Sequence, residues 1–472
     1  MKINRIAVGT CALGLTATLS IASLPAQAVP AAPHGPKNVI VMIGDGMGYT
    51  HVNAASLYTA GQAYKQVEGP EGSVAEVEGT PTFAFESFPV QVDMTTYWAE
   101  GSYDPAQAWN DFDYVNISPT DSAAAGTAMA TGHKTYNAGL GVDYDGNPVE
   151  NISERAISLG KSAGSISSVN YWHATPASYV VHNKNRNNRL EITNQEIASD
   201  MTVIMGAGHP YYTDSNELRA TPNWTSNITE ADFIALRGGV NGWNLVEEKA
   251  DFEALTTGET PDRVFGIAQV NSTLQQSRGG KSVQPYDVPF NTGVPTLETM
   301  TKGALNVLDN NDKGFSLMVE GGAIDWTGHA NDGARNIEET VDFINSVDAV
   351  IEWVEANSDW RETLLIVTAD HETGYLEGPG SNPNWTKMTG EKGELPNQEW
   401  NSGNHTNQLV PVYAKGAGAK ELERLAVGND PVRGKYLDNT DLANLFLNDF
   451  WAGKNNGKAN GKFKGNDKAF NR

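Results

Sequence analysis

Seven short uncharged runs, apolar for the most part but serine-rich at 165–169, recur along this 472-residue chain, at 39–43, 165–169, 201–205, 264–267, 315–319, 364–368 and 410–413. Each is too short for a buried helix and is not the alternating pattern of a half-exposed strand, so each reads as a strand buried on both faces. Between them lie stretches with helical spacing. Met300, Ala304, Val307 and Leu308 share one helical face, and Ile344, Val347, Ile351 and Val354 share another. Strands alternating with amphipathic helices imply an α/β fold, a three-layer sandwich around a large, mostly parallel central sheet. The length favours one or two domains.

Such sheets bind ligands beyond the carboxyl ends of their strands. Asp45, Glu320 and Asp370 each fall at the end of an apolar run. Asp325 and His329 are four apart, which on a helical turn puts both side chains on one face. His371 follows Asp370, and His405 comes later. Aspartate oxygens and imidazole nitrogens suit zinc, while Glu320 and Thr175 offer the oxygens that a harder ion such as magnesium prefers. Ser122, in Thr120-Asp121-Ser122 ahead of an alanine-rich run, is a hydroxyl nucleophile at a helix start. All three residues of that triplet also favour helix caps, and the two readings are compatible because a helix amino terminus welcomes a phosphoryl anion. The combination points to metal-assisted phosphoryl transfer.

Residues 1–28 read as a signal peptide. Lys2 and Arg5 precede an apolar stretch over 6–24, and Ala26-Gln27-Ala28 has the small-residue pattern of a cleavage site, which predicts a periplasmic or secreted protein without a membrane span. Cys11 is the only cysteine and lies inside this leader, so the mature chain forms no disulfide. Residues 29–452 then form the enzyme domain. Residues 453–472, rich in Gly, Asn and Lys with six positive charges and one negative, read as a flexible basic tail. The formal charge of the whole chain is −24. That excess repels polyanions and argues against nucleic-acid binding, so an anionic substrate has to be drawn in locally.

In these motifs the chain resembles the alkaline phosphatase family. Asp45, Thr120-Asp121-Ser122-Ala123, His173-Ala174-Thr175-Pro176-Ala177, Glu320 with Asp325 and His329, Thr368-Ala369-Asp370-His371 and His405-Thr406 occur in the family's order, over about residues 38–416. The resemblance implies an alkaline phosphatase that hydrolyses phosphate monoesters of broad specificity through a phosphoserine on Ser122, with an alkaline optimum and release of inorganic phosphate. It implies one zinc on Asp325, His329 and His405, a second on Asp45, Asp370 and His371, and magnesium on Asp45, Thr175 and Glu320. It also implies that Arg186 holds two phosphate oxygens, a task suited to a planar guanidinium. Lys184 and Arg189 are its rivals in sequence, and spacing selects Arg186. The remaining histidines, His34, His51, His133, His182 and His209, are read as structural or surface residues.

The chain departs from the enterobacterial pattern of this family, which has aspartate where His173 stands and lysine where Trp326 stands. The pair looks like the marine, Vibrio-like bacterial branch. An imidazole at 173 removes a carboxylate from around the third metal, which predicts weaker magnesium binding and easier replacement by zinc. Trp326 cannot reach a phosphate through water as a lysine would, so product leaves more readily. Relatives are usually dimers, and a homodimer is the expectation here. Only 33 residues separate His371 from His405, too few for a large subunit-embracing insertion, so a monomer stays open.

Overall fold

The structure is a computed structural model that describes residues 35–224 and 227–452. The leader expected at 1–28, His34 and the tail at 453–472 lie outside the described residues. Eleven strands form one sheet: β1 (Asn38–Gly44), β2 (Val90–Thr95), β3 (Ser162–Asn170), β4 (Val203–Ala207), β5 (Asn244–Val246), β6 (Val264–Ile267), β7 (Phe315–Gly321), β8 (Thr363–Thr368), β9 (Val410–Gly416), β10 (Gly428–Asp430) and β11 (Gly434–Asp438). Their order across the sheet is β10-β11-β2-β9-β8-β1-β7-β3-β4-β6-β5. From β8 through to β5 all neighbours are parallel. The direction reverses at β9, which runs antiparallel to both β8 and β2, and at the edge strand β10.

The helices that matter for the cleft are α1 (Tyr49–Ala60), α2 (Ser122–Thr131), α3 (Ala174–Ser178), α4 (Leu297–Leu308), α5 (Ala323–His329) and α6 (Gly333–Asn357). Successive residues of a strand point to opposite faces, and β3 shows what each face meets. A Cβ on Gly164 would lie 3.0 Å from Leu308 of α4. The next residue, Ser165, donates to the Pro176 carbonyl of α3 at 3.0 Å. One helical layer is therefore built on α4, which packs with α6, and the other on α3, which packs with α2. The sheet between them is buried on both sides, and every residue of β1, β7 and β8 is buried. This is why those strands are legible as mostly apolar runs.

The run at 201–205 begins its strand two residues late, at Val203. Strands β2, β5, β10 and β11 have no apolar run to mark them. In β2 a buried aspartate, Asp93, sits in mid-strand and accepts from the Tyr49 hydroxyl of α1 at 2.6 Å. Among the described residues no helix is long and apolar enough to cross a membrane.

Close approach of α6 to the sheet depends on Gly321, where a Cβ would lie 2.8 Å from the Cβ of Phe343. Gly321→Ala is expected to cost about 1–3 kcal/mol through overpacking, read as a lower urea midpoint at unchanged slope. An unchanged midpoint would show that α6 shifts freely.

Candidate active site

Alanine-rich sequence favours a helix at Ser122–Thr131, and Asp121 starts it. Its Oδ1 accepts from the Ala124 N–H at 2.9 Å, a side-chain cap on the first turn. Small residues let α2 lie against α3, since a Cβ on Gly126 would come within 2.6 Å of Ser178 Oγ. Ser122 is thereby fixed at the first position of a helix, beside the residues that follow the central strands.

Those strands supply the carboxylates. Asp45 directly follows β1, and its N–H donates to the Gly321 carbonyl at 3.2 Å. Gly46 is required here: its φ is +75°, and a Cβ would lie 2.7 Å from Thr373 Oγ1 and 2.9 Å from Asp325 Cα. Its N–H donates to Asp370 Oδ1 at 3.1 Å, beyond the end of β8. Glu320, near the end of β7, accepts from the Ser167 hydroxyl of β3. Thr175 of α3 donates to Asp45 Oδ2 at 3.4 Å.

Imidazoles close the cluster, each anchored through Nδ1. His405 Nδ1 donates to the Thr120 carbonyl at 2.7 Å and His329 Nδ1 to the Gly403 carbonyl at 2.9 Å. Thr373 Oγ1 donates to Asp325 Oδ1 at 2.6 Å and lies 3.2 Å from His371 Nδ1, whose proton it can accept. The Nε2 atoms therefore turn inward, His329 and His405 to 3.1 Å of one another and His371 to 3.3 Å of Ser122 Oγ. His405 Nε2 is 3.2 Å and His329 Nε2 is 3.4 Å from Asp325 Oδ1. His371 Nε2 is 3.2 Å from Asp370 and 3.4 Å from Asp45. Among the described residues, the sets whose ligand atoms are close enough to share an ion include Asp325, His371 and His405; Asp45, Asp370 and His371; and Asp45, His173 and Glu320, and the distances above bring His329 within the same reach of Asp325 and His405.

Four carboxylates buried together raise one another's affinity for protons. Burial and then the charge of Asp370 push Asp45 well above its usual range. Burial takes Asp370 up to about 7 and Glu320 to about 8. Burial acts on Asp325 in the same direction, but the hydrogen bond and charge of His405, with His329 and His371, outweigh it and bring that carboxyl down. Burial also opposes protonation of His405, yet the hydrogen bond and charge of Asp325 win and lift it to about 9. Asp45 Oδ1, Asp370 Oδ2, Glu320 Oε1 and His173 Nδ1 are buried with no hydrogen-bond partner among the described residues. Buried polar atoms without partners are costly, and metal ions held by Asp45, Asp370 and His371 and by Asp45, His173 and Glu320 would satisfy all four. The residues fit divalent ions.

Ser122, His173, Arg186, Asp325, Trp326, His329, Asn404 and His405 line a cleft of about 450 Å³. Arg186 is held by its Nη1 on Asp121 at 3.1 Å and lies 3.3 Å from His173 Nε2 through Nη2. Burial, then the charges of Arg186 and Arg189, lower His173 to about 3, so its ring is neutral, with Asp325 opposing. Trp326 meets the His173 ring edge-on at 5.7 Å. The site residues read from the sequence therefore lie together, and His173 stands at ligand distance from Asp45 and Glu320, where the sequence reading gave the third metal Asp45, Thr175 and Glu320. None of His51, His133, His182 and His209 joins a candidate metal set. Sequence reasoning missed Thr373, Ser167 and the grip of Asp121 on Arg186. Thr373, two residues after His371, was the one with a local signal.

Sheet and cleft together define an α/β enzyme with residue groups able to hold metal ions where its central strands end. The family model for alkaline phosphatase matches residues 36–394, and the chain belongs to the alkaline phosphatase family of hydrolases. Alkaline phosphatase 4 of Bacillus subtilis is 29% identical over 483 residues, 89% of this chain and 89% of the relative. The Escherichia coli alkaline phosphatase is 28% identical over 432 residues, 84% of each. The alkaline phosphatase structure from Thermus thermophilus superposes with a TM-score of 0.61 at 21% identity, covering 88% of this chain and 91% of that one.

Carboxyls raised by burial make the metal-stripped protein sensitive to base. Between their unfolded value near 4 and their folded values, the folded chain binds more protons than the unfolded one, so their contribution to stability falls as pH rises through about 8. Chelator-treated protein is expected to lose Tm from about pH 6 to about pH 8.5, and Glu320→Gln, which cannot ionise, to lose less. Identical slopes in parent and variant would contradict this.

Proposed function

We propose that this cleft hydrolyses phosphate monoesters through a phosphoserine on Ser122, with little selection of the leaving alcohol, an alkaline optimum and release of inorganic phosphate. The observation that carries the reading is Ser122 Oγ at the start of α2, 3.3 Å from His371 Nε2, in one cleft with Arg186. The residues suit two zinc ions and one magnesium: Asp325, His329 and His405 for the first, Asp45, Asp370 and His371 for the second, and Asp45, Thr175 and Glu320 for the third. When bound, such ions act as Lewis acids that make a hydroxyl nucleophilic and neutralise phosphoryl oxygens.

The chain's own residues do the positioning. Free N–H groups at the start of α2 and the two-pronged guanidinium of Arg186 receive the phosphoryl dianion. Asp121 limits the rotamers of Arg186 and caps the helix that carries Ser122, so nucleophile and anion clamp share one anchor. Ser122 Oγ bonds to phosphorus as the bond to the leaving oxygen breaks, and the alcohol departs with the proton that serine gives up. Water then adds to the phosphoserine, restoring the hydroxyl and freeing inorganic phosphate. Beyond these groups the cleft offers a leaving alcohol only Trp326, Asn404 and the outer imidazoles, which supports broad specificity. The composition of the leader supports export to the periplasm or beyond, and the family resemblance supports a homodimer.

A chromogenic monoester and the matching diester, assayed from about pH 8 to about pH 10 with zinc and magnesium present, are expected to show monoester hydrolysis that chelation removes and metal restores. Ser122→Ala should lower kcat by at least about a thousandfold. A preference for the diester would reject the reading. We propose also that His173 weakens the third site toward magnesium, because an imidazole stands where a carboxylate would suit a hard ion. His173→Asp should bind magnesium tighter by about tenfold or more in titrations of metal-stripped protein, and equal affinities would refute it.

A further inference from the structure

Arg189 differs from the other arginines. Among the described residues each of the others donates a hydrogen bond to a carboxylate or a carbonyl. The Arg189 guanidinium has no hydrogen bond or ion pair among them. It instead lies over the indole of Trp172, 4.7 Å from the ring centroid. Trp172 is only 6% exposed, so this platform is fixed, and the arginine on it is exposed. Its neighbour His173 lines the cleft and contacts Arg186 at 3.3 Å. A chain of contacts therefore links the cleft residues Arg186 and His173, through the adjoining ring of Trp172 at 6.4 Å from that of His173, to Arg189.

An unpaired guanidinium in a chain of net charge −24 has abundant carboxylates to pair with, and this one pairs with none. A planar, stacked guanidinium keeps its edge N–H groups available and loses little rotamer freedom on binding, which suits a carboxylate or phosphate. We propose that Arg189 on Trp172 is an outer anion subsite that takes a second phosphate or carboxylate of the substrate, making monoesters that carry such a group preferred substrates. The proposal rests on the phosphomonoesterase reading of the inner cleft and adds selectivity to it. Scission still occurs at Ser122, and the second anionic group is held without reacting.

The test uses metal-loaded parent and Arg189→Gln on 4-(phosphonooxy)benzoate and on its methyl ester, which differ by one charge remote from phosphorus. At low ionic strength Arg189→Gln is expected to lower kcat/KM for the carboxylate about fivefold and to leave the methyl ester within about twofold. Near molar salt the difference should vanish, as for an exposed ion pair. Equal losses on both esters, or no loss on either, overturn the subsite. A change in Tm without a change in selectivity also overturns it and assigns Arg189 to packing on Trp172. A parent inert on both esters rejects the phosphatase reading, and the subsite with it, before any variant is compared.

Discussion

Four carboxylates buried at one end of a sheet cannot all carry charge unless cations stand among them. Two unit charges about 4 Å apart repel by about 4 kcal/mol even at an effective dielectric of 20. The sheet order creates the problem and organises its solution. β8, β1 and β7 are adjacent and parallel, so Asp370, Asp45 and Glu320 leave the same edge side by side. Parallel strands are about 4.8 Å apart, which places such groups at the separation where they share ions. Antiparallel neighbours would have sent alternate carboxylates to opposite ends.

The cleft's second half comes from segments that the sheet does not order by itself. Asp325 and His329 stand on a single turn of α5, His371 follows Asp370, and His405 comes from a short ladder that pairs Thr373 with His405. Each imidazole is held by an acceptor at Nδ1, which fixes the tautomer and the direction of Nε2. Thr373 links two halves of the site, because one hydroxyl donates to Asp325 and faces His371. Below it, buried His51 approaches the Thr373 carbonyl at 3.0 Å while its Nδ1 accepts from Gly48. A histidine read as structural thus still supports the cleft through backbone.

What was legible in the sequence follows from what burial demands. β1, β7 and β8 had to be apolar on both faces, so they stood out as runs. β2 did not, because Tyr49 satisfies Asp93 in its middle, and edge strands such as β10 carry Gly428, Asn429 and Asp430. The spacing of Asp325 and His329 was readable as one helical face. The tie between Asp121 and Arg186 was not, since it spans 65 positions and involves a residue already explained as a cap. His173 shows the same limit. Its residue type announced a departure at the third site, but only the fold shows its ring at ligand distance from Asp45 and Glu320.

The acidity of the chain and the chemistry of its cleft are consistent because of distance. A charge of −24 spread over the surface is screened within about 10 Å at ordinary ionic strength, so it opposes an incoming phosphate only weakly at close range. Within the cleft the balance reverses. Arg186 lines the cleft, whereas Asp45, Glu320 and Asp370 are fully buried, do not line it, and cluster with one another and with the imidazoles. An anion entering the cleft would therefore face the Arg186 guanidinium and, of the four carboxylates, only Asp325. The buried negative charge faces the positions suited to cations, where it strengthens their retention and does not repel the substrate. This separation of buried carboxylates from a guanidinium at the cleft is what the proposed anion site requires of a strongly acidic protein, and the Asp121 contact at 3.1 Å helps to hold Arg186 there.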